Sequence, residues 1–388
     1  MALLVALNAL AIDVLLPGMQ EIGASLGEAD ENRRQFIITA YFGGFGLGQL
    51  VFGPLSDRYG RLPPLFAGMA IYAAAAATAP LVTTFDTLLL LRFAQGAGAA
   101  STRALSTAIT RDVSSGRAMA EIMSLVMTVF MIMPIVAPAL GQAIMIYSDW
   151  RTVFVFMALA AVLAGVWTWK RIPETLHPSN RRPFDPATLL AGAVAVATNR
   201  VSFWYSLALT LIFGALFGFI NSAQQIYVGV YGLGVWFPAA FAGVAIMVSV
   251  ASFTNSRLVR RFGPRRVSHM ALAGDAAGSM LLFLFAATGL LPLWLFLVLF
   301  AAMMMAFGFV GPNFSALAME PLGHLAGMAA AVQGTVQTVG SALIGAAIGQ
   351  AFDGTVLPFA AGSAGLGLGA LVCVHFAAKR PAPARAAS

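Results

Sequence analysis

GPLSDRYGR, residues Gly53–Arg61, lies between two apolar runs, and the architecture turns on how it is read. Gly53 and Gly60 suit a tight turn where helices approach closely. Asp57, Arg58 and Arg61 make a compact charged cluster where one apolar segment ends and the next begins. Taken alone, the string is also compatible with a basic loop that carries a turn glycine. A second copy follows 203 residues later (258 − 55): Leu55-Ser-Asp-Arg58-Tyr59-Gly60 aligns with Leu258-Val-Arg-Arg261-Phe262-Gly263, matching Leu, Arg, aromatic and Gly. The chain therefore contains an internal repeat.

Around these two turns the 388 residues are 60% hydrophobic and only 10% charged, against about 25% charged in a soluble domain. Apolar stretches long enough to cross a bilayer as helices recur along the whole length. The expected spans are 2–20, 35–56, 64–82, 87–110, 119–146, 151–169, 203–225, 237–256, 268–288, 292–313, 326–350 and 355–377. The short alternating segments of a membrane β-barrel do not occur. The longest polar stretch, Lys170–Arg200, contains KRIPETLHPSNRRPFDP and reads as a linker. The expectation is an all-α membrane protein with twelve transmembrane helices: a six-helix bundle over 1–170, a cytoplasmic linker over 171–200, a second bundle over 201–378 and a cytoplasmic tail over 379–388.

The net charge of +7 does not point to nucleic acid, because the basic residues are short clusters between apolar spans. With both termini in the cytoplasm, Arg33, Arg34 and Arg151 fall outside and Arg92 within a helix, leaving 18 of the 22 Lys and Arg inside (22 − 3 − 1). Arg58, Arg61, Arg103, Arg111, Arg117, Arg182, the Arg257–Arg266 cluster, Lys379, Arg380 and Arg385 belong to that inner set, while the outer loops are acidic. The lone Cys373 permits neither a disulfide framework nor a metal site. Met1–Gly18 lacks a basic leader and reads as a retained helix. No phosphate-binding loop of the G-x-x-x-x-G-K-S/T type is present, so energy must come from an ion gradient or a partner.

Two charged residues sit inside apolar runs. Asp13 is the only charge in MALLVALNALAIDVLLPG, and an ionisable group at such depth is a functional hypothesis by default. Arg92 opens LLLLRFAQGAGAA. Counting about 1.5 Å per residue puts Asp13 about 8 Å and Arg92 about 9 Å below the outer surface, so the two can meet and offset part of each burial cost. A snorkelling arginine is the bland alternative. In MPIVAPALG (Met133–Gly141), Pro134 and Pro138 remove helix hydrogen bonds and Gly141 permits close packing.

These strings resemble the major facilitator superfamily, whose two six-helix halves rock about a central site. Gly53–Arg61 is similar to its G-x-L-x-D-R-x-G-R/K motif, Arg92-Phe-Ala-Gln95-Gly96 to its R-x-x-Q-G motif, and Met133–Gly141 to its exporters' antiporter motif, with Ala137 for the usual Gly. IDVLLPGM (Ile12–Met19), FINSAQQIYVGVYGLG (Phe219–Gly234), RLVRRFGPRRV (Arg257–Val267) and GPNFSALAMEPLGHLAGMAAAVQG (Gly311–Gly334) resemble the bicyclomycin/chloramphenicol-resistance branch of drug:proton antiporters. The resemblance implies that Asp57, Arg58, Arg61 and Asp112 form a cytoplasmic gate, with Asp57 and Arg61 pairing with Asp112, and that Asp13 and Arg92 couple protons to transport.

It further implies a secondary transporter, not an enzyme, that exports small amphipathic drugs for protons. It would need no cofactor and act as a monomer in a bacterial inner membrane. With one central carboxylate, neutral or zwitterionic drugs fit best. Candidate drug contacts are Asn8, Tyr41, Gln95, Met131, Asn221, Gln224, Gln225, Gln333 and Gln337, the polar ones equally suited to interhelical bonds. Met133, Met303–Met305 and Phe307 would suit a plastic pocket or plain packing. Asp275, in the peripheral ninth span, reads as half-solvated or snorkelling; His269 and His324 lie at membrane edges. A proton-linked importer or metabolite exporter on the same fold, and a membrane receptor that moves no solute, are the rivals.

Overall fold

The computed structural model describes residues 1–114, 116–181 and 186–378. Arg182, Lys379, Arg380, Arg385 and the tail 379–388 lie outside the described residues, as do the side chains of Arg117 and His324. The first span is α1 (Ala2–Asp13), a 3-10 turn over Leu16–Gly18, and α2 (Met19–Ser25). The next five are α3 (Phe36–Tyr59), α4 (Leu62–Thr78), α5 (Phe85–Val113), α6 (Gly116–Tyr147) and α7 (Trp150–Arg171). After a short α8 (Pro186–Thr198) come α9 (Arg200–Gln224), α10 (Phe237–Phe262), α11 (Pro264–Ala287), α12 (Leu293–Met319), α13 (Ala326–Gln350) and α14 (Leu357–Ala378).

The two repeat copies end matching helices in the same way. Gly60 follows α3 with φ 99° and ψ 169°, and Gly263 follows α10 with φ 80° and ψ 155°. That backbone region is costly for a side chain and free for glycine. Arg58 stacks on Tyr59 at 5.2 Å and Arg261 on Phe262 at 5.1 Å, so the aromatic that matches in the repeat has the same use in both copies. The face bearing these turns is the inner face below.

Among the described residues, eleven helical stretches are long and apolar enough to cross a membrane. The fourth span, α5, is as long as they are but carries Asp86, Arg92, Arg103, Arg111 and Asp112. Its 29 residues reach about 44 Å. Arg103 lies ten residues from Val113 (113 − 103), about 15 Å from the inner end of the helix. The linker is not wholly irregular either, since the apolar run PATLLAGAVAVAT within it folds as α8 and packs on α13. The first span is broken, because Pro17 supplies no amide hydrogen to continue α1.

Glycines set the closest helix contacts in the first bundle. A methyl group at Gly96 of α5 would overlap the Tyr41 carbonyl of α3, and one at Gly44 would overlap the Phe93 carbonyl of α5. Gly141 of α6 touches the Val14 carbonyl just past the end of α1. Pro134 and Pro138 sit within α6, and the second prepares that approach one turn earlier.

Polar contacts between the two halves cluster at the outer face. Asn32 donates to the Gln350 and Phe352 carbonyls at 3.3 and 2.7 Å, and Gln225 donates to Asn32 at 2.9 Å. Gln35 donates to the side chain of Gln225 and to the Gly349 carbonyl. Phe42 and Phe217 stack at 3.9 Å. Deeper in, Thr335 donates to the Gly46 carbonyl and Gln49 to Thr338. No hydrogen bond or ion pair joins the inner ends of the two bundles among the described residues, so the polar contacts between the halves are concentrated towards the outer face.

Gly96→Ala should lower the unfolding free energy by about 1–3 kcal/mol, as overpacking does, whereas Gly243→Ala, which meets nothing within 4 Å, should change it little. Denaturation midpoints of the purified proteins in detergent check both; equal midpoints would remove the close-contact account.

Candidate functional site

Arg92 organises the centre of the first bundle. The break after Asp13 turns the Leu15 amide to Ile12 in place of the Ala11 carbonyl, which a continuous helix would have used. Arg92 Nη2 donates to that freed carbonyl at 2.9 Å. Its Nε donates to the Ile37 carbonyl of α3 at 3.1 Å, and Nη1 to Gln95 Oε1 at 2.6 Å. The guanidinium also lies 4.6 Å from the Tyr41 ring centroid. A cation at the C-terminal end of α1 is favoured by the helix dipole, and the planar fork suits several acceptors at once. Arg92 is 0% exposed, so nothing remains of the snorkelling alternative.

Asp13 is at that level but is not paired with Arg92. It is 5% exposed and has no hydrogen-bond or ionic partner among the described residues. The expected common level holds, since Arg92 bonds the Ala11 carbonyl two residues before Asp13; the expected ion pair is absent, and three of the guanidinium's five N–H donors go instead to the Ala11 and Ile37 carbonyls and Gln95.

Asn8, Tyr41 and Gln95 are tied into this assembly. Asn8 donates to Thr102 Oγ1 at 2.8 Å and accepts from Tyr41 at 3.4 Å. Gln95 spends its carbonyl oxygen on Arg92 and points its amide at the Met157 sulfur. Met131 is half-buried on α6. Across the interface, Gln225 belongs to the outer closure, Asn221 donates to Thr39 at 3.4 Å, and Gln224 and Gln337 are half-buried. The Asn221 carbonyl oxygen and the Gln333 amide nitrogen are buried without a partner.

At the inner face, Arg61 joins Asp57 at 2.5 Å and Asp112 at 2.7 Å, and also donates to Ser56 at 3.0 Å. Asp57 does not contact Asp112 directly; both accept from Arg61. Arg58 is exposed and stands apart from the cluster, over Tyr59. The residue that sequence reading missed is Glu174, which accepts from the Arg61 and Leu62 amides at 2.8 and 3.0 Å and so caps the start of α4. Its only signal was being one of two acids, with Asp185, in a linker otherwise rich in basic residues. Burial works against its charge, but the amides of Leu62, Arg61, Leu176 and Thr175 hold its carboxyl below the ordinary carboxylate value. A lowered value means that its anchoring is present at neutral pH and lost only as pH falls well into the acid range.

Asp275 differs from expectation. It is 9% exposed inside the second bundle, beside Ile212, Met303, Phe359 and Ser363. Met303 and Met304 are packed in the same core, and His269 bonds Tyr205 at 2.9 Å.

The family model described as Major Facilitator Superfamily matches residues 1–345. The chain belongs to that superfamily. It is a multi-pass membrane transporter, not an enzyme, and the superfamily's members carry small molecules. It is 31% identical over 354 residues to a Haemophilus influenzae bicyclomycin resistance protein homolog, covering 89% of this chain and 87% of that one. It is 29% identical over 355 residues to a Pseudomonas aeruginosa chloramphenicol resistance protein, covering 89% and 80%. The solved structure of the Escherichia coli xylose transporter XylE, in a partially occluded inward-open conformation, matches with a TM-score of 0.73 at 13% identity over 96% of this chain and 95% of that one, a likeness of fold.

Arg92→Lys should be destabilising, by about 1–3 kcal/mol for each acceptor left without its donor, since a point charge cannot serve the Ala11, Ile37 and Gln95 oxygens together. Thermal unfolding of the purified variant is the check; an unchanged midpoint would count against the fork as the organiser of this centre.

Proposed function

We propose that the chain exports small amphipathic drugs, chloramphenicol- or bicyclomycin-like, in exchange for protons, as a monomer in the bacterial inner membrane with both termini in the cytoplasm. Asp13 carries this reading: a buried carboxyl at the break in the first span, level with Arg92, with no partner of its own among the described residues. A charge there is expensive unless neutralised, and a proton is the partner the site lacks. The names of the two resistance-protein relatives support drugs as the cargo.

In the cycle we infer, residues 1–170 and 201–378 are the two moving bodies and 171–200 the linker. Asp13 takes a proton from outside, the outer face closes, and the inward-facing form releases the proton and admits the drug. Drug and proton must then disfavour each other's occupancy, because a ligand shifts such an equilibrium only through its different affinity for the two states. The Arg61 cluster, whose partners here lie in the first half and the linker, would meet the second half when the inner face closes. Asn221 and Gln333, each with unspent hydrogen-bonding capacity, are the best placed of the polar candidates to bind a drug.

Asp13→Asn should abolish drug-coupled proton flux in proteoliposomes while leaving folded yield unchanged. Flux at the wild-type level would remove Asp13 from the coupling step, and drug uptake along the proton gradient, in place of exchange, would establish an importer.

A further inference from the structure

Arg103 is a cation inside a spanning helix that the coupling centre does not use. It lies eleven residues below Arg92 on α5 (103 − 92), three turns and about 16 Å along the axis, within about 20° of the same helix face. Arg92 faces α1 and α3, so Arg103 faces the same interior, further towards the inner side. It borders a cavity of about 40 Å³ together with Val5 of α1, Met123 and Met127 of α6, and Ser106 and Thr107 of α5. The guanidinium is exposed, has no acidic partner among the described residues, and its one ring contact is Phe130 at 5.8 Å. Ser106 is 2% exposed and lines the same cavity, and its buried hydroxyl has no hydrogen-bond partner among the described residues. A cation and a free donor therefore converge on one small space with thioether and aliphatic walls.

We propose that Arg103 and Ser106 form a receiving site for the anionic head of an amphipathic substrate entering from the inner side. This rests on the efflux reading and extends its substrate class from neutral drugs to amphipathic monoanions such as arylcarboxylates. The cavity admits a carboxylate, not a whole drug; the apolar remainder of the molecule lies along Met123 and Met127, whose flexible side chains adapt to varied shapes. A guanidinium fork presents paired donors to a carboxylate, and the Ser106 hydroxyl supplies one more. A cationic drug is disfavoured at the same place by repulsion from Arg103.

The test uses the full-length protein in nanodiscs of phosphatidylcholine, with 1-naphthylacetate and its uncharged primary amide as probes. Equilibrium binding of both is measured for wild type, Arg103→Gln, Arg103→Lys and Ser106→Ala. The expected result is that Arg103→Gln weakens anion binding about tenfold or more and leaves amide binding unchanged. Arg103→Lys should retain part of the anion affinity, and Ser106→Ala should cause a smaller loss confined to the anion. Equal weakening of both probes, or no effect on either, would overturn the site. So would anion binding that phosphatidylglycerol in the nanodisc abolishes, because the guanidinium would then be serving a lipid phosphate. Export of a neutral amphenicol from proteoliposomes is measured on the same preparations: its presence without anion binding leaves the efflux reading standing and sinks this inference alone, and its absence tells against the efflux reading whatever the binding result.

Discussion

The bond between the Arg92 guanidinium and the Ala11 carbonyl depends on a helix that stops. Pro17 forbids α1 to continue, the Leu15 amide turns to Ile12, and one backbone acceptor is left free at the depth of Asp13. A buried acceptor without a donor is costly, and so is a buried guanidinium without acceptors. Each removes the other's cost. The arrangement then reaches Ile37 on α3 and Gln95 on α5 itself, and the glycines that let α3 and α5 touch bring the Tyr41 ring over the same cation. Three helices are registered against one another by a single side chain, and the carboxyl nearest to it is left without a partner.

That outcome separates what the residues disclosed from what they could not. Pattern was enough for the repeat, since a glycine after a matching Leu, Arg and aromatic needs the same left-handed turn twice, and the φ and ψ at Gly60 and Gly263 agree. Depth was also legible, because residue counting places Asp13 and Arg92 at one level. Partnership was not. Opposite charges at one depth suggest an ion pair, but the free carbonyl that competes for the guanidinium is created by the helix break and exists in no residue type. Glu174 was missed for a similar reason: its partners are backbone amides of a helix start more than a hundred residues away.

The two halves share a frame and divide the chemistry unequally. In the first, the turn at Gly60 carries Arg61, Asp57, Asp112 and Glu174 in one network. In the second, the equivalent turn at Gly263 has open space around it, and its ion pair among the described residues is an exposed one, Arg265 to Glu320 at 3.6 Å. The second bundle invests in aromatic packing, with Phe219 against Tyr227, Phe241, Phe300 and Phe359. A bundle packed on rings has its helices tied through many shared contacts, which suits the tilting body that the proposed cycle requires.

The contacts that close the outer face are of a kind that can be given up. They are amide-to-amide and amide-to-carbonyl bonds around Asn32, Gln35, Gln225 and Gln350, with no ion pair between the halves among the described residues. Each neutral hydrogen bond is worth about 1 kcal/mol net, because water replaces it when it opens. A charged latch would hold harder and leave two ions to resolvate. On the cycle proposed above, gaining or losing one proton at a buried carboxyl is of the right size to tip a seam of this strength, since the cost of burying an unpaired charge is several kcal/mol. The stacked Phe42 and Phe217 rings add apolar contact across the same seam, and they lie next to Tyr41, whose ring covers Arg92. Closure at the outer face and the packing around Arg92 thus share adjacent residues of α3, so on the proton-coupled cycle proposed above a change of charge at Asp13 has a direct mechanical route to the outer seam.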